Sequence, residues 1–294
     1  MERTSQIADF DGPVHYIDHG GTGQPIVMVH GLGGSHLNWE RVGPALAVDY
    51  RPYAIDLWGF GLTPLQGHDA SLKSQVDLVA RFIRREAGGK ALVFGNSMGG
   101  LIAMLLARQH PDLVDGLVLF DPALPMRSVK NVNRDTIMRL GVPVLPWIGE
   151  GSIRRLAESG TPEERLDTSL DMITADPSRI DATTRAAAVE MTRLRDKMEW
   201  APEAFCEAIR SMTGLLGRRR RFRDLVHRIS APTLLIHGML DDVVHFDAAE
   251  WLANERPDWK FAPIPDAGHV PQLELPDRSL TIFHDWIEAA VPVG

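Results

Sequence analysis

The chain has 294 residues, 44% hydrophobic and 24% charged, which is ordinary for a globular protein with a sizeable core. A formal net charge of -8 and a pI near 5.8 exclude a strongly basic nucleic-acid binder, and no apolar run approaches the roughly 18 residues of a membrane span. One cysteine, Cys206, excludes an internal disulfide and a cysteine-based zinc site; with an N-terminus, Met1 to Gln6, that lacks a signal-like apolar stretch, it predicts a cytoplasmic protein.

Short alternating runs at 4–9 and 13–18 flank Asp11-Gly12 and predict a hairpin. Pro25 to His30 is a continuous apolar run, the pattern of a strand covered on both faces. The glycine-rich loop Gly31-Leu32-Gly33-Gly34-Ser35 follows it, with a helix expected from near Trp39. A dinucleotide fingerprint needs a third glycine where this chain has His36, so the loop reads better as one that brings the Leu32 amide close to a reacting carbonyl oxygen. Arg51 to Asp56 predicts the next strand, Ser71 to Glu86 a helix stopped by Gly88-Gly89, and Gly116 to Pro122 another buried strand. Strands alternating with helices predict an α/β fold, a mostly parallel doubly wound sheet.

From about Ala123 to Asp224 the period changes. Apolar residues fall three or four apart over 134–140, 162–173, 178–194 and 202–216, with no convincing strand, which predicts an inserted all-helical cap. The expected organisation is 1–123 first core part, 124–225 cap and 226–294 second core part. Residues 125–225 hold 18 Lys or Arg against 15 Asp or Glu, an excess owed largely to Arg218-Arg219-Arg220-Arg221 and Arg223; such a run reads as a solvated helix end before it reads as an anion site. The strand pattern resumes at 232–238, followed by a helix near 247–254, a strand near 259–264 and a last helix over 277–290.

Between an apolar strand, Ala91 to Phe94, and an apolar helix beginning at Leu101 stands Gly95-Asn96-Ser97-Met98-Gly99-Gly100. Gly-x-Ser-x-Gly forces the serine into a tight turn, where a side chain at either glycine would collide with the neighbouring strand or helix, and it leaves the Met98 amide in the first helical turn. A serine hydroxyl attacks only if a base takes its proton, and an imidazole steadied by a carboxylate suits that role. Of eleven histidines, His269 has the position of such a base, just after a predicted strand; His30 and His237 read as hydrogen-bonded structural residues. For the acid, Asp241 sits three residues after the strand-ending Gly238, with Asp242 and Asp121 as rivals. His15 and His19 lie in the predicted hairpin and do not form a helical metal pair, so no metal is expected.

These motifs, in order His30-Gly31-Leu32-Gly33-Gly34, Asp56-Leu57-Trp58-Gly59-Phe60-Gly61, the Ser97 elbow, Gly238-Met239-Leu240-Asp241 and Gly268-His269, resemble the α/β-hydrolase fold superfamily, in the branch with a helical cap between two halves of the sheet. The resemblance covers nearly the whole chain outside the cap. It implies Ser97 as nucleophile, His269 as general base, Asp241 as orienting acid, the Leu32 and Met98 amides as oxyanion hole, and no cofactor. Serine at 97 argues against the dehalogenating and epoxide-opening branches. The elbow is similar to that of hydrolases cleaving carbon-carbon bonds in aromatic ring-fission products, but those carry a glycine-proline-glycine oxyanion loop and a tryptophan where this chain has Leu32-Gly33-Gly34 and Val270.

An esterase acting on a small-molecule ester is therefore expected, with the carbon-carbon hydrolase as alternative and a non-catalytic ligand receptor as a third. Met126 and Trp147 are candidate pocket residues. The cap methionines Met138, Met172, Met191 and Met212 read first as core filler. Oligomeric state is not legible, because an interface patch and the apolar underside of a lid have the same composition.

Overall fold

The computed structural model describes residues 3–126, 142–145 and 148–290. Its core is an eight-stranded sheet in the order β1-β2-β4-β3-β5-β6-β7-β8, formed by Thr4–Asp9, Pro13–Asp18, Gln24–Val29, Tyr50–Ile55, Ala91–Asn96, Val114–Phe120, Thr233–Gly238 and Lys260–Ile264 for β1 to β8. The first two strands form the expected hairpin and join β4 antiparallel. All pairings from β4 through β8 are parallel. Chain order reverses between β3 and β5, so their carboxyl ends open a crevice at the middle of the sheet.

Side-chain alternation explains why these strands need cover on both faces. Val27, Val29, Val93, Leu117, Leu119 and Leu235 point into one core, whereas Ile26, Met28, Leu92, Phe94, Val118 and Ile236 point into the other. After a single 3-10 turn at His36–Trp39, the expected early helix proves to be only α1, Gly43–Leu46; Trp39 and Leu46 cover the second face. The first face is covered by α2, Leu72–Glu86, capped by the Ser71 hydroxyl, and by α3, Met98–Gln109.

Between β6 and β7 the described residues form helices and no strand: α4 Gly149–Ala157, α5 Pro162–Ile173, α6 Ala182–Arg195, α7 Ala201–Leu216 and α8 Arg219–Val226. Helix α5 starts where Thr161 and Glu164 exchange a capping box, and α6 starts at Asp181, whose carboxylate accepts from Thr184 N-H at 2.9 Å. That cap is why the helix begins later than the periodicity from 178 suggested. The stretch 134–140 lies outside the described residues. Helix α8 buries Phe222, Leu225 and Val226 and leaves Arg218 to Arg221 exposed, a solvated basic face. The core closes with α9, Phe246–Glu255, α10, Pro271–Glu274, and α11, Pro276–Ala290, the last placing Phe283 and Trp286 on the second face. A small apolar cluster of Leu170, Ile180, Val270 and Leu273 joins the inserted helices to the loop carrying His269.

Candidate active site

Ser97 occupies the single residue between the end of β5 and the start of α3, with φ 54° and ψ -117°. A non-glycine residue held there stores roughly 1–3 kcal/mol of backbone strain, so its surroundings must hold it. They do so through the Ser97 N-H, which donates to Phe120 O at 3.0 Å, and its carbonyl, which accepts from Leu101 N-H at 3.2 Å and Ala123 N-H at 2.9 Å. A Cβ on Gly95 would stand 2.4 Å from the Gly99 carbonyl oxygen, and one on Gly99 would stand 2.0 Å from that of Val29. The two glycines are therefore required by contact with backbone on either side of the serine.

Asp241 lies in the turn after β7. Its Oδ1 accepts from Val243 N-H at 2.7 Å and Val244 N-H at 2.9 Å, and its Oδ2 is 2.7 Å from His269 Nδ1. Burial alone would raise this carboxyl, but the charge and hydrogen bond of His269, followed by His237, hold it below the ordinary carboxylate range. With Nδ1 donating to Asp241, the lone pair of His269 is on Nε2. Neither rival acid hydrogen-bonds His269: Asp242 is exposed, and Asp121, fully buried at the end of β6, faces Asp241 instead.

The His269 backbone is held from two directions. Its N-H donates to Ile173 O at the end of α5, at 2.8 Å, and its carbonyl accepts from Asn96 Nδ2 at 3.0 Å, one residue before Ser97. Ser97 and His269 line one cavity, and the serine hydroxyl makes no hydrogen bond to the imidazole in this structure. Such contacts are commonly long before substrate binds and tighten in the complex.

The glycine-rich loop is fixed by His30. Its Nδ1 donates to Gly31 O at 2.7 Å and its Nε2 accepts from Leu57 N-H at 3.1 Å, which assigns the neutral tautomer; burial lowers its pKa to about 4. Gly34 N-H also donates to Gly31 O, at 3.0 Å. In a trans peptide the N-H points away from the carbonyl, so the Leu32 N-H is turned from these donors and has no acceptor among the described residues. Met98 is the first residue of α3, where an N-H has no carbonyl one turn earlier.

The cavity has a volume of about 1340 Å³, and the inserted helices line it with Leu170, Met172, Met191 and Met212, joined by Ile180 from the loop before α6. Met126 is at its wall and 48% exposed, while Trp147 lies outside the described residues. Sequence reasoning missed three residues here: Asn96, whose role is a backbone contact 173 positions away; Glu274 of α10; and Arg195 at the end of α6. The Glu274 carboxylate accepts from Gly268, Ala175 and Asp176 N-H at 2.8, 3.2 and 2.8 Å, tying the His269 loop to the insertion. Arg195 lines the cavity half-buried, and among the described residues its guanidinium has neither an ion pair nor a hydrogen bond.

Two buried triplets, His15 with His36 and Asp56, and Asp121 with His237 and Asp241, have ligand-type atoms within 4.8 Å of one another. In the first, Asp56 already accepts from both imidazoles and from two backbone N-H groups, an arrangement that ties loops together without a cation.

A serine at a strained strand-to-helix corner, a buried histidine-aspartate pair and a sheet that reverses beside them define a class. The chain belongs to the alpha/beta hydrolase fold family, whose sequence model matches residues 24–276, and it is a hydrolase. It is 30% identical over 262 residues, 88% of this chain and 92% of the relative, to a pimeloyl-[acyl-carrier protein] methyl ester esterase of Chromobacterium violaceum. It is 28% identical over 264 residues, 87% of this chain and 81% of the relative, to a 2-hydroxy-6-oxo-6-(2'-aminophenyl)hexa-2,4-dienoic acid hydrolase of Metapseudomonas resinovorans. The solved structure of a mutant meta-cleavage product hydrolase from Pseudomonas fluorescens shares the fold, with a TM-score of 0.74 at 23% identity, covering 98% of each chain. No helix among the described residues is long and apolar enough to cross a membrane.

Proposed function

We propose that this chain cleaves carboxylic esters of small molecules through an acyl-enzyme, with Ser97 as nucleophile. The observation that carries the reading is the buried His269 Nδ1 to Asp241 Oδ2 contact of 2.7 Å, set on the same cavity as the strained Ser97. Nε2 of His269 takes the Ser97 proton as the hydroxyl oxygen attacks the ester carbonyl, and Asp241 stabilises the resulting imidazolium. The tetrahedral oxyanion is held by the Leu32 and Met98 N-H groups, each worth roughly 3–4 kcal/mol in such a site. The imidazolium then protonates the departing alcohol; water, deprotonated by the same Nε2, releases the acid and restores Ser97. Residues 124–225 act as a cap that roofs the cavity and sets acyl specificity. The buried thiol of Cys206 fits a reducing, cytoplasmic setting.

The test is Ser97→Ala with a series of p-nitrophenyl esters and a fluorophosphonate probe. Turnover falls by roughly four to six powers of ten and labelling disappears while the fold persists; a variant that keeps most of its activity overturns the mechanism. Asp241→Asn costs about 10⁴ in turnover, and Asp242→Asn leaves it near wild type.

Arg195 favours a second reading, hydrolysis of a carbon-carbon bond in an acidic substrate by the same serine chemistry. A dienoic acid, as in the name of the 28% identical relative, carries a carboxylate that a guanidinium without an ion pair among the described residues suits. Arg195→Ala raises KM more than tenfold for acidic substrates and leaves neutral esters little changed; equal effects on both remove this reading.

A further inference from the structure

Asp121 is a carboxyl group that the proposed chemistry does not use. It directly follows β6, is fully buried, and has φ 42° although it is not a glycine. Its backbone N-H is spent on Ile236 O, at 3.0 Å. Its Oδ1 accepts from Gly238 N-H at 2.8 Å, but its Oδ2 is buried with no donor. A buried carboxylate oxygen without a donor is strongly disfavoured while it is charged, so the missing donor needs a chemical identity.

The groups facing Asp121 leave few choices. From the turn after β7 comes Asp241, with a carboxyl oxygen within 4.8 Å of one on Asp121; from β7 comes His237, within the same distance; from α10 comes the charge of Glu274. His237 Nδ1 is 3.6 Å from Asp121 Oδ1, too far to bond, and its Nε2 is 2.8 Å from Val244 O, an acceptor only. The His237 ring therefore carries its proton on Nε2 and has none left for Asp121. No Lys or Arg pairs with Asp121 among the described residues. Two facing buried carboxyls cannot both ionise cheaply, and the donors decide which keeps its proton. Asp241 receives two backbone N-H groups and the His269 imidazole; Asp121 receives one N-H.

We infer that Asp121 is a protonated carboxylic acid that donates its O-H to the Asp241 carboxylate, a positioning residue that fixes the orientation of the acid and tempers its negative charge. Burial and the Asp241 charge both push the Asp121 carboxyl well above its ordinary range, in agreement with this geometry. The consequence for catalysis, which rests on the serine-hydrolase reading, is that Asp121 tunes how strongly Asp241 holds the His269 imidazolium. Without this O-H, Asp241 becomes a stronger acceptor, the imidazolium is held more firmly, and the base is freed only at higher pH.

Infrared difference spectroscopy on the full chain tests the protonation without any assay. The expected result is a carboxylic-acid carbonyl band at neutral pH that shifts in D₂O and is lost in Asp121→Asn; absence of such a band overturns the inference, whatever becomes of the Ser97 mechanism. The kinetic arm compares two variants. Asp121→Asn retains a donor toward Asp241 and an acceptor for Gly238, and it keeps the wild-type pH profile with kcat/KM within about tenfold. Asp121→Ala shifts the acid limb of kcat/KM upward by about half a pH unit or more. An Asp121→Asn loss as deep as that of Asp241→Asn would show an ionised carboxylate and overturn the inference. If Asp121→Ala does not fold, the infrared comparison alone decides.

Discussion

Gly99 shows how a pattern in sequence becomes a constraint in space. Its missing side chain lets α3 lie against the carbonyl of Val29, where a methyl group would come within 2.0 Å of the oxygen. Backbone cannot retreat as a flexible side chain would, so Gly99→Ala destabilises the fold by about 3 kcal/mol or more, read as a lowered urea midpoint. A variant with wild-type stability would contradict the packing. The elbow was legible because glycine spacing encodes a collision. His269 was singled out because it stands in the loop after a predicted strand, and Asp241 because it follows a strand-ending glycine at a fixed offset; the fold brings the two side chains to 2.7 Å. Asn96 and Glu274 left no comparable trace, since their partners are backbone groups that any residue type presents. Only the folded chain brings the Asn96 amide to the carbonyl of a residue 173 positions away.

Among the elements, strands were readable because burial on both faces demands unbroken apolar runs, as in 233–238. Helix α5 was readable over its full length, 162–173, from apolar residues three or four apart; the Thr161-Glu164 box that fixes its start emerged only in the structure. Helices α4 and α8 were not read as helices. Gly149 and Gly151 weaken the signal in α4, and consecutive arginines obscure the apolar stripe of Phe222, Leu225 and Val226 in α8. Short α10 was also missed, although its Glu274 joins two parts of the chain. Three backbone N-H groups and Arg179 converge on that carboxylate. Glu274→Ala leaves the three N-H groups without that acceptor while Arg179 keeps Asp266 and Asp176, lowering stability by about 2–4 kcal/mol and kcat/KM by more than tenfold as the His269 loop loosens. Calorimetry and ester turnover check the two effects separately; native values in both would show the junction to be redundant.

At the scale of the whole molecule, buried imidazoles govern the response to acid. Burial lowers His19 and His30 from 6.5 to about 4, and it lowers His237 in the same direction. Because their folded pKa values are depressed, the unfolded chain binds protons below pH 6.5 that the folded chain refuses. Their stabilising contribution is complete above 6.5 and is lost as pH falls toward 4. Asp121, raised by burial, works the other way and offsets one such proton. The net expectation is a loss of about 1–2 kcal/mol per pH unit across that window, measured as a falling urea midpoint from pH 7 to 4.5; a rising midpoint would contradict it. The backbone of His269 has a consequence of its own at this scale. Its two peptide groups are anchored to different bodies, one to the elbow strand through Asn96 and the other to the last carbonyl of α5. On the proposed chemistry, displacing α5 therefore strains the loop that carries the proton-accepting imidazole, so the roof and the base are coupled through a single residue.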